Sequence, residues 1–143
     1  MDPLSIAASV VGVVMPALHG VRLLIDDIQK IRDAPDDVRS VRDDLLAIGK
    51  GLTALQTVSD PQWESLGETI VIQAKSAMNL CTESCDRFRA SLHRWTRHSD
   101  DGKLSWRDQA MVGIFKQSQI KSMSRQLQNC KVNLTSVVTI ASL

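Results

Sequence analysis

Apolar residues return along this chain at intervals of three and four, the period of a helix face. No run of Val, Ile and Thr alternates with polar residues between hairpin turns. Leu18, Val21, Leu24, Ile28 and Ile31 predict a helix from about Ala17 to Arg32. Val38, Val41, Leu45, Ile48, Leu52 and Leu55 step by 3, 4, 3, 4 and 3, a heptad stripe with Gly49 and Gly51 beside it. Leu66, Ile70, Ala74, Ala77, Cys81, Cys85, Phe88, Leu92 and Trp95 predict a helix from roughly Gln62 to Arg97. A last helix, capped by Ser105 and running to about Ile140, carries Ile120, Met123, Leu127, Cys130, Leu134, Val137 and Ala141, with Ile114 and Phe115 upstream on the same face. Breaks fall at Ala34-Pro35-Asp36, at Ser59-Asp60-Pro61 and at the polar turn His98–Lys103. Asp36 and Asp37 sit where a negative charge suits the start of the next helix.

The opening segment differs from the rest. Asp2 is a good N-cap, Pro3 occupies the favoured first helical position, and Leu4 begins an apolar run. From Pro3 through Val21 there is no Asp, Glu, Lys or Arg. Pro16 predicts a kink or break near Val14–Met15. A helix this apolar either fills the centre of a bundle or enters a membrane. Pro3–Val21 approaches the roughly 20 residues a bilayer span needs, but Pro16 splits it and His19 lies within it. Burial at rest with exposure on demand is therefore the sharper expectation. The predicted fold is all-α, a four- to five-helix up-down bundle with an apolar N-terminal helix, forming one domain over residues 1–143.

Composition agrees with a packed helical core. Hydrophobic residues make up 43% of the 143, charged residues 23%, aromatics only 3%, and Tyr is absent. Leu, Ile, Val, Met and Ala must fill the interior. Net charge is +1, which argues against a general attraction to nucleic acid. Residues 1–60 hold nine acids and six bases, residues 61–143 seven acids and eleven bases, and no acid follows Asp108. The basic residues gather in Arg87, Arg89, Arg94, Arg97, Lys103, Arg107, Lys116 and Lys121, with Trp95 and Trp106 nearby. No nucleic-acid recognition motif accompanies them, so an anionic lipid headgroup or an acidic partner is the expected contact, against the plainer reading of a solvated basic face.

The sequence carries no recognisable catalytic constellation. Cys81 and Cys85 share a helix face but lie on the apolar stripe, which predicts buried thiols rather than a metal site. A Cys81–Cys130 or Cys85–Cys130 crosslink would need facing helices and an oxidising compartment, and three cysteines suggest reduced thiols. His19, His93 and His98 stand in no set with Ser, Cys or Asp. Acid pairs such as Asp26/Asp27 and Asp43/Asp44 are sequence neighbours, which do not share a helix face and read as solvated charges. No phosphate loop, zinc-protease motif or nucleophile elbow is present. No enzyme, metal or cofactor is expected.

Met1-Asp2-Pro3-Leu4-Ser5-Ile6-Ala7-Ala8-Ser9-Val10-Val11-Gly12 closely resembles the start of fungal HeLo-like N-terminal domains. The likeness continues in Ile31-Arg32-Asp33-Ala34-Pro35-Asp36-Asp37-Val38, and more loosely in Leu104-Ser105-Trp106 and in Phe115–Leu134, so that it covers nearly the whole chain. The resemblance implies a cell-death-inducing helical bundle at the N-terminus of a NOD-like receptor or ankyrin-repeat protein, with nucleotide-binding or repeat domains downstream. It implies self-association, release of an N-terminal helix built from Leu4, Ile6, Val10, Val11, Val13 and Val14, and contact of the basic residues with anionic membrane lipid. It places the protein in the cytoplasm at rest and at the plasma membrane on activation. Pro16 and His19 depart from a continuous membrane helix. The competing expectation is a non-toxic interaction or autoinhibitory module of the same receptor class.

Overall fold

The computed structural model describes residues 5–32, 34–98, 104–106 and 113–142. Helix α1 (Ile6–Lys30) opens on Ser5, whose hydroxyl accepts from the Ala8 N–H at 3.0 Å. That role had been expected of Asp2, which with Pro3 and Leu4 lies outside the described residues. The predicted break at Pro16 does not occur: one helix of 25 residues runs through it. Proline removes one hydrogen bond and crowds the carbonyl four residues earlier. Here that residue is Gly12, and both Gly12 and Pro16 are exposed. Water can therefore solvate the Gly12 carbonyl, and the helix continues at a local cost.

Helix α2 (Asp36–Gln56) begins with the expected Asp36 and Asp37 in its first turn. All six predicted stripe residues, Val38 to Leu55, are buried. Helix α3 (Asp60–Leu66) starts in a capping box formed by Ser59 and Gln62. Helix α4 (Glu68–Trp95) follows at once. The single helix predicted from Gln62 is thus two, divided at Gly67, whose φ of 93° and ψ of 163° suit glycine alone. Strands β1 (Thr96–His98) and β2 (Leu104–Trp106) pair antiparallel, Arg97 opposite Ser105. Ser105 therefore belongs to a short hairpin and does not cap the last helix, α5 (Gly113–Ala141). Ile114 and Phe115 fall in α5, with side chains outside the described residues.

The four long helices form a square. α1 and α5 each pack against α2 and α4 and sit diagonally opposite one another. Directions alternate along the chain, so α1 runs parallel to α4: Ile6 and Val71 line one cleft, and a methyl group at Gly20 would lie 3.5 Å from Cys85 Cβ. α3 crosses the base of the square, joining α2 to α4 along the diagonal, and buries Trp63. The core runs the length of the square, from Val10, Val14 and Leu24 through Leu45 and Leu52 to Phe88, Leu92, Leu127 and Leu134. Leu, Ile, Val, Met and Ala dominate it.

Candidate functional site

Of the two regions singled out by the sequence, the first turns of α1 and the described basic residues of α4 lie towards opposite ends of the bundle. In the first half of α1, Val10 and Val14 are fully buried, while Ile6, Val11 and Val13 are half-buried. Ile6 and Val13 pack against the core. Leu4 lies outside the described residues. Met15 is exposed beside Pro16, its sulfur 3.1 Å from Gln56 Nε2. The start of the helix is tethered to α3, because the Ala7 N–H donates to Asp60 Oδ1 at 2.7 Å. A carboxylate at this position also complements the positive end of the helix dipole. The helix is long and apolar enough to cross a bilayer, with a mean hydropathy of 1.8 over 18 residues, although a buried core helix meets the same criterion.

The second half of α1 is held by charge. Asp27 is only 7% exposed, and its Oδ2 takes Arg89 Nε at 2.8 Å and lies 3.0 Å from His93 Nε2. This corrects two expectations: Asp27 is not a solvated charge, and His93 does stand beside an acid. Neighbouring residues on a helix point about 100° apart, so Asp26 keeps the solvated role in an exposed pair with Lys30 at 3.0 Å, while Asp27 faces α4. Arg89, expected at a lipid headgroup, is engaged in bracing α1 against α4. No periodicity argument on either helix alone could have paired residues 62 apart in sequence.

The remaining basic residues divide. Arg87 and Arg94 line a cleft between α4 and α5. Lys121 is exposed in a separate groove between α2 and α5 that also holds Asp37 and Arg125. Lys131 is bound to Asp44 at 2.8 Å. The side chains of Arg97, Lys103, Arg107 and Lys116 lie outside the described residues. Since α1 and α4 run parallel with Gly20 level with Cys85, Arg87 and Arg94 stand roughly 20–30 Å up the axis from Val10 at 1.5 Å per residue. The basic cleft and the first turns of α1 are therefore well separated along the bundle axis.

Cys81, Cys85 and Cys130 are free and buried. A hydrogen bond from Cys130 alone would lower the Cys81 thiol, but its bond to Cys85, burial and repulsion from Cys85 outweigh this and push it up. Cys130 is also pushed up, first by its hydrogen bond to Cys81 and then by burial. Such thiols stay protonated and behave as core. Among the described residues no cluster of His, Cys, Asp and Glu is arranged to hold a metal ion.

A family model described as pigment biosynthesis cluster protein PigL N-terminal matches residues 1–143. The chain belongs to this family. Neither a curated protein nor a solved structure matches it. The PigL N-terminal match spans the whole bundle, from the opening helix through α5.

Proposed function

We propose that this domain is a HeLo-like effector bundle of a fungal receptor, which acts by oligomerising and releasing the first half of α1 into a membrane. The observation that carries the reading is the unequal fastening of α1. Its second half contributes Ala17, Leu18, Val21, Leu24 and Ile28 to the core and adds the Asp27 brace. Its first half contributes only Val10 and Val14 as fully buried side chains, with Ile6, Ala7 and Val13 partly buried against the core, and is held by the backbone bond of Ala7 to Asp60 and the Gln56 contact of Met15. Burying a Val side chain is worth about 1.5–3 kcal/mol, so releasing this half forfeits roughly 3–6 kcal/mol from Val10 and Val14, and a further share from the partly buried Ile6 and Val13. A bilayer would return most of that, because the same methyl groups leave water again. Pro16 and Gly12 interrupt the hydrogen-bond ladder between the halves and offer a place to bend.

Ten residues of helix reach about 15 Å, enough for one leaflet, whereas all of α1 would span about 37 Å but carry Arg22, Asp26, Asp27 and Lys30 with it. Insertion of the first half alone is therefore favoured, with oligomerisation supplying the remaining perturbation. Leakage of dye from anionic vesicles tests it. The wild-type chain should release dye, and a folded Val13→Asp variant should release several-fold less. Equal leakage by both would sink the reading. A second reading, a non-toxic interaction or autoinhibitory module, is favoured by the complete burial of Val10, Val14 and Ala17. It predicts that hydrogen exchange in α1 is the same with and without vesicles.

A further inference from the structure

Three nucleophilic side chains lie in the core, and neither the packing of the bundle nor its proposed membrane action calls on their chemistry. Cys81 and Cys85 come from α4 and Cys130 from α5, all free and all 0% exposed. As filling they act only as small hydrophobes, a role that Ala or Val also serves.

The register of α4 against α5 brings two of them face to face. The helices run in opposite directions, and Gln126 marks their alignment: its Oε1 accepts from Arg87 at 3.1 Å and from Ser84 at 3.4 Å. One turn back along α4 from Ser84 is Cys81, and one turn on along α5 from Gln126 is Cys130. These two thiols are hydrogen-bonded to each other. Cys85 is bonded to Cys81 and also faces α1, where a methyl group at Gly20 would lie 3.5 Å from its Cβ. The sequence leaves Cys81 and Cys85 as equal candidates for a bridge to Cys130, and the packing separates them. A bridge between Cys81 and Cys85 does not suit a helix. Cβ atoms four residues apart on one face stand roughly 5–6 Å from each other, and a disulfide needs about 3.5–4.5 Å.

We infer that Cys81 and Cys130 are a redox pair that closes to a disulfide across the α4–α5 seam, with Cys85 left as a thiol, and that an oxidant reaches the pair only before α5 has docked. The oxidant is a small disulfide such as oxidised glutathione. The thiolate of one cysteine attacks a glutathione sulfur, forms a mixed disulfide and expels one glutathione thiolate. The second cysteine attacks the protein sulfur of that adduct and expels the other. The two thiol protons end on the two glutathiones, and one glutathione disulfide is reduced by two electrons as one protein disulfide forms. In the closed bundle this exchange is blocked twice. No oxidant reaches side chains without exposed surface, and burial keeps both thiols protonated. The folded chain therefore retains the redox state in which its last helix docked. The crosslink joins α4 to α5 and leaves α1, which packs on α2 and α4, outside it. The inference thus stands apart from the membrane reading.

The test uses the whole chain, reduced and unfolded in denaturant, then refolded by dilution with either reduced or oxidised glutathione. Peptide mass mapping without reductant should find a Cys81–Cys130 crosslink in the oxidised sample, with Cys85 unmodified. That crosslink closes a loop of roughly 50 residues and should raise the melting temperature by about 10 °C. Cys85→Ala should crosslink as wild type does, and Cys81→Ala should not. Oxidised glutathione added to the already folded chain should give the crosslink at least about a hundredfold more slowly, since the seam must first open. Pairing through Cys85, glutathione adducts without a crosslink, or a lower melting temperature in the crosslinked chain overturns the pair. Equal rates in folded and refolding chains overturn the dependence on docking.

Discussion

Replacing Asp27 with Ala removes the acceptor shared by Arg89 and His93 while leaving both donors in place. Removing one member of a fully buried ion pair costs about 3–5 kcal/mol, because the partner's charge is left uncompensated. The Asp27 side chain is 10% exposed, but that of Arg89 is 26% exposed. Water can therefore restore part of the guanidinium's solvation, and the expected loss is about 2–3 kcal/mol. For a chain of this size that is roughly 6–9 °C in melting temperature, followed by circular dichroism. Asp26→Ala is the internal control. Its pair with Lys30 is more than half exposed on both sides, so it should cost no more than about 0.5 kcal/mol. The double variant Asp27→Leu/Arg89→Met removes both charges and should recover most of the loss. If Asp27→Ala costs no more than Asp26→Ala, the brace is a surface contact and the unequal fastening of α1 loses its main support.

Gly67→Ala should destabilise the fold by about 1–3 kcal/mol, since the Gly67 φ of 93° suits no side chain although nothing lies within 4 Å of the added methyl. A loss below a few tenths of a kcal/mol would mean that α3 and α4 can merge into one helix. The three thiols should resist iodoacetamide in the folded chain and react at once in denaturant. They also set a pH dependence. The folded thiols of Cys81 and Cys130 are raised above the ordinary value of 9.0. Below that value folded and unfolded chains hold the same thiol protons; above it only the unfolded chain releases them, so stability falls as pH rises past about 9. Cys81→Ala/Cys130→Ala should flatten that fall, and an unchanged slope would remove the thiols as its cause.

How far the fold could be read in advance depended on whether one helix carried the information. The stripe from Val38 to Leu55 needed nothing outside itself, and every member is buried. The stripe from Ile120 to Val137 was equally plain. Gly67 was missed because Leu66 and Ile70 are four apart, so the helical period passes unbroken across a real boundary. Pro16 misled for the opposite reason. Its effect is set by whether the carbonyl of Gly12 faces water or protein, which the local sequence does not state. The site divides in the same way. The apolar character of α1 is written in its residues, whereas the Asp27 brace, the Asp60 tether and the cleft of Arg87 and Arg94 each join elements far apart in the chain.

The square arrangement has a bearing on what α1 is able to do. Both helices that flank it, α2 and α4, also pack against α5. Taking α1 away severs none of the contacts that keep the other three together, and the remainder is a continuous strip with α5 at its centre. Withdrawing α5 instead would open the strip at the opposite corner and leave α1 as the sole bridge. The corners of α1 and α5 are equivalent in this respect, so the square can let the first turns of α1 swing out while the Asp27 brace keeps the rest of that helix in its corner.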